Sequence, residues 1–384
     1  MMPRALTSSF VCLALLSLPA MVRAQGTLST QGFGYPTGEM STRAIGAGGA
    51  TADFDAFSST NPASIAAASG SLLYVQVEPE FRQLTNDNGG SQKNTIARHP
   101  LASFVIPIRP TLFAGFTVSN FLDRSFLTQE RRNTPIADTT VATTNTFKSD
   151  GAIGDVRAAL AWTPTTWVRL GIAGHIISGS NRLRTAEVFD DSVRFAAIAD
   201  TTTITYVGSA LSAGVELFAG SVAAFAVSYR KGNSMSVKHQ DTTITNANVP
   251  DGISMSAAFI GIKGTMLAVR TSKDSWSRMQ GLGSANLAIT DGWDTSVGAD
   301  VLGPRIGDHV VQVRAGGRWR TLPFGLVNSE IREKTFNMGL GTLLARGRLG
   351  LDLAAIRAMR TPVASTVPFR ESAWTMSFGV TVRP

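Results

Sequence analysis

The last stretch of the chain alternates without a slip. Trp374, Met376, Phe378, Val380 and Val382 share one face, and Thr375, Ser377, Gly379, Thr381 and Arg383 share the other. Such a period of two is the mark of a strand, whose successive side chains point to opposite faces. Leu349, Leu351, Leu353 and Ala355 alternate in the same way with Gly350, Asp352 and Ala354, and Phe336, Met338 and Leu340 with Asn337, Gly339 and Gly341. Val311, Val313, Ala315 and Trp319 oppose Gln312, Arg314, Gly316, Arg318 and Arg320. Earlier, Val168, Leu170, Ile172 and Ile176 face away from Arg169, Gly171, Ala173 and His175, and Leu211, Ala213, Val215 and Leu217 from Ser212, Gly214 and Glu216. About 14 segments read this way, each near the 9–11 residues a tilted strand needs to cross a bilayer. They run over 71–82, 95–108, 111–121, 151–163, 167–179, 201–219, 222–235, 252–263, 265–277, 285–302, 308–321, 334–345, 348–360 and 371–383.

The connections differ in length by side. Tight turns are expected at Pro164-Thr165-Thr166, Gly220-Ser221, Gly264 and Arg346-Gly347, and long polar loops over 122–150, 180–200, 236–251 and 322–333. Membrane barrels have short turns at one end and long loops at the other. A soluble β-sandwich also alternates, but it seldom repeats Gly, Ala and Ser along its second face. Small inward residues suit a barrel whose lumen admits a plug.

Composition points the same way. Charged residues make up only 16% of the chain, against about 25% in a typical soluble domain. Outside the N-terminal region no apolar run approaches the roughly 20 residues of a membrane-spanning helix. The net charge of +8 includes Arg4 and Arg23 of the expected export signal and comes from scattered arginines, without a basic block. Nucleic acid is therefore not an expected partner; arginine suits the lumen or the lipid-phosphate rim.

Residues 1–24 read as a secretory signal peptide. Arg4 supplies a short positive region, Phe10 to Val22 an apolar run, and Val22-Arg23-Ala24 a cleavage site with Gln25 as the new N-terminus. Cys12 is the single cysteine and lies within the signal, too early for a lipoprotein. The mature chain then has no disulfide, zinc ribbon or catalytic thiol.

Residues 25–70 do not alternate; the barrel proper is expected over 71–384. The N-terminal segment contains Arg43-Ala44-Ile45-Gly46-Ala47-Gly48-Gly49-Ala50, then Asp53 and Asp55, then Asn61-Pro62-Ala63-Ser64-Ile65. Three glycines let the backbone turn tightly or approach another surface closely. Ser59, Thr60 or Asn61 can cap a short helix with Pro62 at its first position. No Lys-Ser/Thr follows the glycines, so a phosphate loop is not supported.

The block resembles the N-terminal signature of the FadL/TodX family and its PorV-like relatives, with Arg43, Gly46, Gly48, Gly49, Ala50, Asn61, Pro62 and Ala63 in the matching places. The likeness extends loosely over the stretch from Arg318-Trp319-Arg320 through the final strand. It departs at Val382-Arg383-Pro384, where such barrels usually end on an aromatic residue; Phe378 is the nearest on the correct face. The resemblance implies an all-β, 14-stranded transmembrane antiparallel barrel in a bacterial outer membrane, with the N-terminal segment as a hatch in its lumen. It implies a channel for hydrophobic compounds such as long-chain fatty acids or, in the PorV-like branch, a non-transporting secretion or assembly partner. Outer-membrane lipids, lipopolysaccharide and the barrel assembly machinery are its implied partners.

Candidate chemistry is sparse. Arg157, Arg169, Arg314, Arg318 and Arg320 fall on inward faces. They could meet a carboxylate head group, with Arg314 and Arg318 the candidate ligand-binding pair on either side of Gly316. They could equally pair with inward Glu78, Glu216, Asp300 and Asp352, since buried charges need partners. The four histidines are His99, His175, His239 and His309. His175 is close to Ser178 in sequence, but an odd offset on a strand puts the two on opposite faces. No hydrolase motif is present, and neither an enzyme, a metal site nor a cofactor is expected.

Overall fold

The computed structural model describes residues 28–30, 33–86, 90–136, 139–282, 288–326, 329–364 and 368–384. Residues 1–27, and with them the expected signal peptide, lie outside the described residues.

Fourteen antiparallel strands close into one barrel. They are β1 Leu72–Asn86, β2 Ser91–Arg109, β3 Leu112–Asp123, β4 Thr139–Thr165, β5 Val168–Phe189, β6 Ile198–Ala219 and β7 Ala223–His239. The second half comprises β8 Gly252–Phe259, β9 Thr265–Asp274, β10 Gly292–Ile306, β11 His309–Leu326, β12 Ser329–Leu344, β13 Leu349–Pro362 and β14 Phe369–Val382. Each pairs with its sequence neighbour, and β14 closes the ring on β1, with Trp374 opposite Phe81 and Val382 opposite Leu73. Closure removes the unpaired edges that a sheet otherwise exposes. Each segment expected from the alternation corresponds to one wall strand.

The wall faces are as the period of two requires. Leu73, Val75, Phe104, Phe116, Leu160, Ile172, Ile176, Leu211, Val297, Leu340 and Phe378 are exposed on the outside. Trp162 and Trp167 lie toward the short-turn end of this band, and Phe81, Trp293, Trp319 and Trp374 toward the loop end, all exposed. The stretch from Trp374 to Val382 measures about 27 Å along its strand at 3.4 Å per residue. An outward apolar band bounded by aromatic residues matches a bilayer's hydrocarbon layer.

All four long polar stretches differ from the expected loops over much of their length. The strand Phe126–Ile136 pairs with the first part of β4, and β5 continues to Phe189. The strand Thr242–Asn248 folds back on β7, and β11 and β12 extend through part of 322–333. Several of these extensions are rich in Thr, which favours strands. They lack an apolar outer face because they stand beyond the band, so amphipathic alternation does not reveal them.

The lumen is filled. Residues 33–68 line its interior, and two large apolar clusters flank a charged middle.

Candidate functional site

The N-terminal segment threads the lumen from the loop end to the short-turn end. Near its start Ser29 N donates to Glu371 Oε2 at 3.2 Å, and Tyr35–Pro36 pairs with Leu122 and Asp123 at the loop end of β3. It leaves toward β1, which starts at the short-turn end, and is built of short capped pieces. Ser41 Oγ accepts from Ala44 N at 3.3 Å and starts α1, Thr42–Gly46. Gly48 and Gly49 follow at φ +69° and +88°, where a side chain would be strained. Asn61 then caps the 3₁₀ turn Pro62–Ala67 by accepting from Ala63 N at 3.0 Å. Of the three capping residues expected from sequence, Asn61 is the one that acts.

Wall glycines make room for this segment. A Cβ on Gly298 would lie 2.0 Å from Ala47 O, and one on Gly339 would lie 2.9 Å from Gly46 Cα. On the other side of the lumen, a Cβ on Gly171 would meet Ala63 N at 2.3 Å and one on Gly214 would meet Asn61 Oδ1 at 1.9 Å. Real carbons do not approach that closely, so the hatch backbone takes the space a side chain would fill. The small inward faces seen in the sequence are the hatch's two docking strips.

Polar contacts fix the register of hatch on wall. Buried Asp53 accepts from Ser254 Oγ at 2.9 Å, Ser256 Oγ at 2.6 Å and Arg270 Nε at 3.2 Å. Thr42 N donates to Tyr74 Oη at 2.8 Å, and Thr42 Oγ1 lies 2.8 Å from Ser377 Oγ. Asn337 Nδ2 donates to Ile45 O at 2.8 Å, and Arg230 Nη1 to Glu39 Oε1 at 2.6 Å. Of the signature residues, Gly46, Gly48, Asn61, Pro62 and Ala63 meet the wall glycines, and Gly48 and Gly49 turn the chain. Arg43 is partly exposed and 3.9 Å from Asp300.

Tyr35 sits in a ring of charge. The guanidinium carbons of Arg82, Arg98, Arg320 and Arg360 lie 4.6–5.5 Å from its ring centroid. Glu333 accepts from its hydroxyl at 2.8 Å. Glu80, Glu333 and Glu371 all bind Arg360, each within 2.9 Å. Beside this ring lies a cavity of about 130 Å³ bordered by Glu39, Trp276, Asp294 and Arg318.

The inward arginines named from sequence are mostly paired. Arg314 is buried, and all three of its nitrogens donate: to Asp300 at 2.9 Å, Asp352 at 2.6 Å and Gln312 at 2.5 Å. Arg318 holds Asp294, with Nε at 2.8 and 2.9 Å from the two carboxylate oxygens. The space beside Gly316, expected to receive a ligand chain, is taken by Ala47 and Gly48. Arg169 pairs with Glu216 at 2.9 Å, and Arg320 with Glu333 at 2.6 Å. Glu78 bonds instead to Gln76 and Ser377.

Toward the loop end the lumen becomes apolar. Phe33, Phe121, Leu122, Ile153, Ile177, Tyr206, Met235, Trp276, Met279 and Phe324 form one buried cluster. Phe33 belongs to the hatch; its ring centroid is 4.5 Å from that of Phe324. Arg124 lies over it at 4.6 Å, buried and bonded to Tyr206 Oη; among the described residues no carboxylate pairs with it and its Nε has no partner. Sequence reasoning missed Arg124 because it stands at a strand end, where alternation assigns no face.

Neither protein-family models nor curated proteins match the sequence. Solved structures do match over nearly the whole chain. A FadL homologue from Pseudomonas aeruginosa aligns at a TM-score of 0.59 and 12% identity, covering 91% of this chain and 99% of its own. The chain has the FadL-type barrel fold. The toluene transporter TbuX of Ralstonia pickettii aligns on the same FadL-type frame at 0.55 and 11%, covering 91% and 98%. The P. putida toluene transporter TodX does so at 0.54 and 12%, covering 88% and 98%.

Proposed function

We propose that the protein is an outer-membrane channel that takes up hydrophobic compounds, long-chain fatty acids among them, and that residues 25–70 are its hatch. The observation that carries this reading is the Phe33 site. An apolar cluster lies at the loop end of the lumen, beyond its charged middle, and the chain's own Phe33 ring fills its centre. Burying a Phe side chain is worth about 1.5–3 kcal/mol. An apolar compound of similar size offers the chamber a comparable apolar gain, so it can compete with Phe33 for the site. Arg124, buried without a carboxylate, supplies the head-group partner that the saturated Arg314 does not. The outward apolar band and the likeness to toluene transporters support the same reading.

Mass spectrometry of compounds copurifying with the folded, detergent-extracted protein tests it. A bound fatty acid or hydrocarbon, exchangeable with added oleate in a saturable manner, is the expected result. Neither bound compound nor saturable oleate binding would overturn it.

A further inference from the structure

Three side chains from consecutive strands meet in the lumen away from the Phe33 chamber. Asp155 of β4 and His175 of β5 are buried, and Ser212 of β6 is half-buried. His175 Nδ1 lies 2.8 and 3.1 Å from the two Asp155 oxygens, and its Nε2 lies 2.8 Å from Ser212 Oγ. A carboxylate at Nδ1 holds the proton there and leaves Nε2 to accept from the serine hydroxyl. That is the order of groups in a serine nucleophile, its base and the base's orienting acid.

Two further features distinguish this from an ordinary wall network. Ser212 and His175 border a cavity of about 40 Å³, together with Ser228, Ser254, Arg230 and the hatch's Thr60. Arg230 is Ser212's register partner on β7. Its terminal nitrogens bind Glu39 and Asp274, and its buried Nε has no acceptor among the described residues. A cationic guanidinium bordering the same cavity as the nucleophile suits a developing oxyanion.

We infer that Ser212, His175 and Asp155 form a serine-hydrolase site for short-chain carboxylic esters, a function independent of the channel reading. Ser212 Oγ attacks the ester carbonyl carbon while its proton passes to His175 Nε2. The carbonyl electron pair moves onto oxygen, whose charge the Arg230 guanidinium bordering the same cavity offsets. As the carbonyl reforms, the bond to the alcohol oxygen breaks, and the alcohol departs with the proton from His175. A water molecule then attacks the acyl carbon, giving its proton to Nε2, and Ser212 leaves with that proton as the acid is released. Ester and water become acid and alcohol, with no change in oxidation state. The cavity exceeds only slightly one water's share of liquid volume, about 30 Å³, so it excludes long acyl chains. The neighbouring larger cavity shares Glu39, Arg270, Ser272 and Asp274 with it and can take the alcohol part.

The test is labelling of the detergent-folded full chain with a fluorophosphonate probe, paired with hydrolysis of p-nitrophenyl acetate and p-nitrophenyl decanoate. The probe should mark Ser212 by peptide mass spectrometry, and Ser212→Ala should remove the label. Ser178→Ala, on the outward face of the same strand as His175, should label as the parent does. His175→Gln should slow acetate hydrolysis about a hundredfold or more, the usual weight of a lost general base, and Asp155→Asn should shift its pH profile. Acetate should be cleaved at least about tenfold faster than decanoate, a gap of 1.4 kcal/mol. Failure of the heat-modifiable, folded parent protein to label would overturn the proposal. So would labelling that persists unchanged in His175→Gln, and equal rates on the two esters would overturn the short-chain assignment.

Discussion

A Cβ placed on Gly316 of β11 would lie 2.4 Å from the carbonyl carbon of Ala47 in the hatch. Wall and hatch are complementary to within one methyl group at this point, and Gly298 and Gly339 on the neighbouring strands repeat the contact. Overpacking of this kind costs about 1–3 kcal/mol. Gly316→Val should therefore loosen the hatch while the outward face, and so the barrel, stays intact. Higher single-channel conductance with an unchanged heat-modifiable gel shift is expected. Gly70→Ala, with open space around it, should change neither.

Asp53 is the hatch's most connected charge. Asp53→Asn weakens its bonds to Ser254, Ser256 and Arg270, and hydrogen bonds to a charged group are worth about 1.5–3 kcal/mol. That corresponds to roughly a ten- to hundredfold larger released fraction. Limited proteolysis from the loop side should cut within 28–70 faster by a similar factor, and parental cleavage rates would contradict the anchor role.

The wall was far more legible in the sequence than the site. A period of two is a property of one strand, so the faces of Arg314, Gly316 and Arg318 could be read directly. Register is a property of two strands, and it decides who meets whom. His175 and Ser178 are three apart in sequence and face opposite ways; Ser212 is the hydroxyl that reaches His175, from the next strand. In the same way Arg314 meets Asp352 across two strand boundaries. The strand at 126–136 was hidden because both of its faces are polar. The hatch was visible as a break in alternation followed by glycine and Asn-Pro, but its partners Gly171, Gly214 and Ser254 were not.

Arg314→Ala should act on stability rather than on ligand choice. It strands Asp300 and Asp352 in the lumen wall, and breaking a buried ion pair costs about 3–5 kcal/mol. A lower unfolding temperature in detergent is expected, with oleate and a fatty alcohol of equal length weakened alike. Selective loss of oleate binding would return Arg314 to a ligand role.

Arg124→Gln should do the reverse. Losing one charge-assisted bond, about 1.5–3 kcal/mol, should weaken oleate roughly ten- to hundredfold, and the fatty alcohol or toluene far less. Isothermal titration on the folded barrel separates these outcomes, and equal losses would remove Arg124 from the head-group site.

Thr42 and Ser377 give the most direct test of a hatch-gated channel, because their side-chain oxygens lie 2.8 Å apart across the hatch–wall boundary. The sole natural cysteine, Cys12, is in the expected signal peptide, so Thr42→Cys with Ser377→Cys introduces a single disulfide that ties α1 to β14. The measurement is uptake of labelled oleate into liposomes with a lipopolysaccharide outer leaflet, before and after reduction. Oxidised protein should fall to the rate of protein-free liposomes, and reductant should restore the parental rate. Equal uptake in both states would contradict gating by the hatch, and a reduced protein no faster than empty liposomes would contradict the channel itself.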